Sequence, residues 1–204
     1  MEPSSAPAPP ASGRLYRLAW GLYMALALGG AAWIGFREGV IPLRLFVDPR
    51  TWWLDLLLGV GAGLLLLGFW KGAERASPLA RELEDQLGGV LGPLDRSEVI
   101  ALAVLSGFAE ELFFRGAVQG SFGWLPATLL FAVLHTGPGR AFRLWTLFAI
   151  VAGLLFGGLM ELRGNLLGPV VAHFLVNAVN LWRLASREDS GTLPRGSTEG
   201  EKES

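Results

Sequence analysis

The sequence predicts an all-α fold: a polytopic membrane bundle of about six transmembrane helices around a buried mid-membrane site. Three observations predict it. Of 204 residues, 51% are hydrophobic and only 17% charged, against roughly 25% charged in soluble domains. Apolar runs long enough to cross a bilayer recur along the chain. The few ionisable residues inside the later runs are grouped rather than scattered.

Residues 1–13 are Pro/Ala/Ser-rich and read as a disordered tail. Residues 15–36 form the first span, with Trp20 and Trp33 near its ends as interfacial anchors. This run is too long for the apolar core of a signal peptide, and no small-residue cleavage site ends it. Residues 51–70 form the second span, with Asp55 close to its start. Between spans two and three, a stretch from Ser77 has the pattern of an amphipathic interfacial connector. The third helix runs from about Glu98 to Gly120 and the fourth from about Gly123 to His135. The fifth and sixth cover residues 144–160 and 165–182. Residues 186–204 are polar and read as a second disordered tail. The chain thus divides into a tail (1–13), two helices with a connector (14–96), a core carrying the polar groups (97–185) and a tail (186–204).

Basic residues alternate between loops. Arg14, Arg17, Lys71, Arg75, Arg81, Arg96, Arg140, Arg143, Arg183 and Arg187 fall on one side, against Arg37, Arg44, Arg50 and Arg163 on the other. The excess places both termini in the cytoplasm, and a bacterial inner membrane is the expected location. Net charge is −1, so nothing points to nucleic acid. There is no cysteine, which removes disulfides, thiolate ligands and a thiol nucleophile.

Three places break the apolar pattern: Glu110, Glu111 and Arg115 in EELFFR, His135 in FAVLH, and His173 and Asn177 in HFLVN. His135 and His173 are the chain's two histidines. Ionisable groups in membrane segments are rare and face the protein interior, so they are functional candidates. Glu111 and Arg115 are four apart and share a helical face as an ion pair. Glu110 is turned about 100° away, without a partner in its own helix. Counting about 1.5 Å per residue from the helix ends puts Glu110, His135 and His173 roughly 15–18 Å deep. In a core of roughly 30 Å they can meet near the middle. Phe131, one turn before His135, reads as packing that fixes this helix. Ser106, one turn before Glu110, also reads as packing, as do Asn165 and Asn180. Glu161 and Arg163 read as interface charge.

Glutamate with histidine can deprotonate water, and histidine with asparagine can donate hydrogen bonds to an oxyanion. Alternatively, Glu110, His135 and His173 can hold Zn²⁺ with an open fourth position. Both routes hydrolyse amides. An HExxH pattern is absent.

In order, EExxxR, FxxxH and HxxxN resemble the CPBP family, the CAAX-protease and bacteriocin-processing intramembrane endopeptidases, also called Abi or Rce1-like. The resemblance covers about residues 97–182. It implies a helical bundle with a cavity open toward the cytoplasm and a membrane-associated peptide or protein as substrate. It implies Glu110 as the base that activates water, assisted by His135. His173 and Asn177 would form the oxyanion hole, with Glu111, Arg115 and Phe131 supporting. Members are described both as metalloproteases and as glutamate-type enzymes, and the sequence leaves the metal open. The competing expectation is a non-enzymatic membrane scaffold or immunity protein, or a proton-coupled transporter using the same groups. A transporter would show inverted repeats, and none is visible.

Overall fold

The computed structural model describes residues 11–91 and 94–191. The predicted tails 1–13 and 186–204 fall largely outside those residues. Two of their boundaries shift: α1 already begins at Ala11 and the last helix continues to Gly191. The described residues are helical, with no strand among them. They form α1 (Ala11–Glu38), α2 (Trp52–Ala76), α3 (Pro78–Leu91) and α4 (Arg96–Glu111). A π-helical segment (Leu112–Gln119) and the short α5 (Gly120–Phe122) extend α4, before α6 (Trp124–Leu134), α7 (Ala141–Arg163) and α8 (Leu167–Gly191).

Among the described residues, three helices are long and apolar enough to cross a membrane: residues 15–38, α2 and α7. Their outward surfaces carry large apolar side chains such as Leu18, Leu28, Leu57, Leu64, Leu65 and Leu154, while Asp55, Glu110, Glu111 and Arg115 point inward. That inversion suits lipid as solvent, where charge must be satisfied inside. The chain is an integral membrane protein with a helical bundle.

The fourth predicted span departs from expectation. At 11 residues, α6 rises only about 16 Å and stops near mid-depth of a ~30 Å core. Its end is written in Thr136-Gly137-Pro138-Gly139: proline disfavours helix in the residue before it and lacks an N–H. His135 is therefore a helix C-cap, not an interior residue.

The central helix starts two residues before its sequence-predicted start. Asp95 accepts the Glu98 N–H at 2.8 Å, and Glu98 returns a bond from the Asp95 N–H at 3.0 Å, a reciprocal cap. The Ser97 hydroxyl, followed by the Glu98 N–H, holds the Asp95 carboxyl below its ordinary value.

Close approach sets the helix pairs that frame the site. A Cβ on Gly107 would sit 3.1 Å from the Phe174 amide nitrogen, so glycine lets α4 and α8 touch backbone to backbone. Gly30 does the same for α1, whose added Cβ would lie 3.0 Å from the Phe113 Cα. The π segment widens the turn after Glu111 and exposes carbonyls to outside donors. Arg37 of α1 takes two of them, donating to Gly116 O at 3.1 Å and Ala117 O at 2.9 Å, and reaches Ser121 Oγ at 2.9 Å.

The connector is a wall rather than a loose interfacial element. Ala80, Leu83 and Glu84 of α3 are buried, and the Trp70 indole donates to Glu84 at 3.1 Å. Arg183 of α8 reaches Glu74 and Glu84, tying α8 to α2 and α3. Arg163 and Asn165 are not bystanders either. Arg163 Nε donates to buried Asp55 at 2.6 Å, and Asn165 Nδ2 donates to its other oxygen at 3.0 Å. This network joins α2 to the α7–α8 turn across 108 and 110 residues. Glu161 is likewise engaged, accepting from Gln119 at 2.9 Å.

Candidate active site

A cavity of about 300 Å³ opens between α1, α2, α3, α4, α6, α7 and α8. Glu110, Phe131, His135, His173 and Asn177 all line it. The three separated sequence patterns thus meet at one place.

Glu110 and Glu111 face different partners, as their 100° offset requires. Glu111 is fully buried. Its Oε1 accepts from Arg115 Nη1 at 2.9 Å and faces His173 Nδ1 at 2.7 Å. The expected pair with Arg115 is present, and the histidine contact is one that helical spacing alone did not give. Glu111 therefore orients His173 as well as neutralising Arg115. With the Nδ1 proton directed at a carboxylate, the His173 Nε2 is left to the cavity.

Glu110 Oε2 is buried with no hydrogen-bond partner among the described residues. It lies 3.7 Å from His135 Nε2. The other ring nitrogen of His135 sits 2.8 Å from the Phe131 carbonyl. A carbonyl only accepts, so Nδ1 carries the proton and a neutral His135 presents a bare Nε2 toward Glu110.

Aromatic rings hold these groups. Phe131 lies 4.2 Å, centroid to centroid, from the His135 ring. The Arg115 guanidinium carbon is 4.6 Å from the Phe131 centroid and 5.2 Å from that of Phe156, within cation–π range. Phe156 also stacks on His173 at 5.2 Å. Phe131 is thus packing, as expected, and packs against two site groups at once. Phe156 gave no sign in the sequence beyond an apolar residue in a span.

Asn177 Nδ2 donates to Ser106 Oγ at 2.8 Å, and Ser106 donates on to Ala103 O at 3.4 Å. Ser106, read as packing, instead orients Asn177. One N–H of the amide remains for another acceptor.

The metal alternative requires Glu110, His135 and His173 to converge. Among the described residues no three His, Asp or Glu side chains form a group able to hold a metal ion. The donor set as arranged does not fit Zn²⁺.

Residues 94–179 match the family model described as Type II CAAX prenyl endopeptidase Rce1-like. Over this segment the chain is similar to Rce1-like proteins. The segment contains every site side chain just described, from Ser106 to Asn177. "Uncharacterized protein YpbD" of Bacillus subtilis (strain 168) is 42% identical over 83 residues, 40% of this chain and 42% of that protein. The chain spans less than half the length of that curated relative. No solved structure matches. The Rce1-like segment carries the three motifs, while α1, α2 and α3 add walls outside it.

Proposed function

We propose that the chain is an intramembrane endopeptidase that cuts a membrane-associated peptide with water activated by Glu110 and His135. The observation that carries this reading is the buried, unpaired Glu110 Oε2 facing His135 Nε2 at 3.7 Å. That separation is too long for a good direct hydrogen bond and lets one water oxygen lie about 2.8 Å from each atom. Both partners are acceptors, so such a water donates both protons and keeps its lone pairs for attack.

Charge balance favours the same assignment. An oxyanion role for His173 needs a proton on Nε2 in addition to the one facing Glu111, so its imidazole is cationic. Glu110 and Glu111, each negative, then balance Arg115 and His173, each positive. A buried quartet of zero net charge is far less costly than an unbalanced one. As water attacks the scissile carbonyl carbon, its proton passes to Glu110. The negative charge reappears on the carbonyl oxygen, to which His173 Nε2–H and the free Asn177 N–H can donate hydrogen bonds. Collapse of the tetrahedral intermediate breaks the C–N bond, and Glu110 returns the proton to the leaving amine. No step needs a metal.

The cavity walls favour an apolar substrate. Trp70, Leu87, Trp145, Phe148 and Phe156 line it, consistent with a CAAX-type C-terminus or another hydrophobic peptide. Both termini on the cytoplasmic face of a bacterial inner membrane complete the reading. The test is to reconstitute the chain in vesicles with farnesylated and unprenylated CAAX peptides and apolar membrane peptides, in ¹⁸O-water. Mass spectrometry should find one ¹⁸O in each new carboxylate. Absence of cleavage across all three classes contradicts the proposal.

A further inference from the structure

We infer that α1, which lies outside the Rce1-like segment, completes the catalytic centre. Tyr23 is a positioning residue whose hydroxyl donates to the Glu110 carboxylate. This rests on the assignment of Glu110 as the base.

The register of α1 against the central helix places it there. Gly30 packs on Phe113, Ile34 on Gly116, and Arg37 against Gly120. From Gly30 to Arg37 and from Phe113 to Gly120 the steps are equal, so the two helices run parallel at a fixed offset. Two turns earlier on α1, that offset sets Tyr23 at the level of Ser106. Glu110 is one turn further along, within the span of a tyrosine side chain from that level. Tyr23 lines the cavity together with Ser106 and Glu110, and its phenol interacts electrostatically with the Glu110 carboxylate. The anchors of α1 are firm: Arg37 on the π-segment carbonyls and Trp33 edge-on to Phe113 and Phe122.

A phenol is suited to this position. It is a donor to a carboxylate, it brings no charge, and its ring tolerates an apolar wall. It restrains Glu110 while leaving Oε2 toward His135.

The chain has two tyrosines, which supplies an internal control. Tyr16 packs edge-on against Trp20 and is not among the cavity residues. The experiment compares Tyr23→Phe, Tyr16→Phe and Glu110→Gln in the full chain, using a cleaved apolar peptide and infrared spectra of the carboxylate region. The Glu110 band is identified by its loss in Glu110→Gln. Tyr23→Phe should lower kcat about tenfold, the scale of a lost hydrogen bond to a charged group. KM should stay within about twofold, since uniform binding is untouched, and the Glu110 band should shift. Tyr16→Phe should change neither. Wild-type kcat in Tyr23→Phe, or a lowered kcat with an unmoved band, overturns the Tyr23 assignment. Full activity in Glu110→Gln overturns the assignment of the base instead.

Discussion

Glu111→Gln separates two jobs that one carboxylate performs. Its Oε1 meets Arg115 at 2.9 Å and His173 at 2.7 Å, with no exposure to solvent. Glutamine keeps the shape but removes the charge, leaving the Arg115 guanidinium, 1% exposed, without a counter-ion. Breaking a buried pair in this way costs about 3–5 kcal/mol. For a chain of this size that corresponds to a fall in melting temperature of about 6–20 °C. Activity should fall separately, by about 10²–10³ in kcat, because His173 loses the anion that holds its second proton. Adding Arg115→Met removes the stranded charge and fills its volume, so the double variant should recover most of the lost stability. It should remain inactive, because His173 is still unanchored. Thermal unfolding in detergent and peptide cleavage on the same preparations read the two effects. A double variant that recovers both would show that Glu111 serves only Arg115. A stable, fully active Glu111→Gln would refute the reasoning outright.

Other outcomes follow from the same geometry. Ser106→Ala should leave folding intact and reduce kcat about tenfold, since a released Asn177 amide loses orientation toward the oxyanion; Ser106→Thr, which keeps the hydroxyl, should be milder in the same cleavage assay. Arg163→Ala strands Asp55 in the bundle and should destabilise by about 3–5 kcal/mol, and an added Asp55→Asn should return much of that in detergent denaturation. Chelation should leave the cleavage rate unchanged, as measured before and after dialysis against EDTA and 1,10-phenanthroline; loss of activity restored by Zn²⁺ would reinstate the three-ligand set.

What the sequence revealed was what local spacing encodes. The i, i+4 relation of Glu111 and Arg115 and the angular separation of Glu110 follow from helix geometry, and both stand in the structure. The helical bundle follows from apolar runs, and the fourth run was expected to end at about His135, where α6 does stop. Contacts between distant segments were not. His173 meets Glu111 across 62 residues and Asn177 meets Ser106 across 71. Such pairings depend on backbone approach at Gly107, whose role appears only when α8 lies against it. Arg163 read as interface charge because its partner Asp55 lies 108 residues away. The π segment left no local signature, since Leu112–Gln119 has the composition of an ordinary helix and is held partly by Arg37 from α1. Tyr23 was invisible for a related reason: one phenol in an apolar span looks like packing until the facing helix supplies a carboxylate.

The central claim is that Glu110 activates the water that cuts the peptide. Its most direct test is the single-turnover cleavage rate of Glu110→Gln in vesicles, with insertion and thermal unfolding measured on the same protein. Removing a general base of this kind should cost at least about 10²–10⁴ in rate. Stability should be unchanged or slightly raised, since the variant removes a buried carboxylate whose Oε2 has no hydrogen-bond partner among the described residues. A folded, inserted Glu110→Gln that cleaves at the wild-type rate would contradict the account.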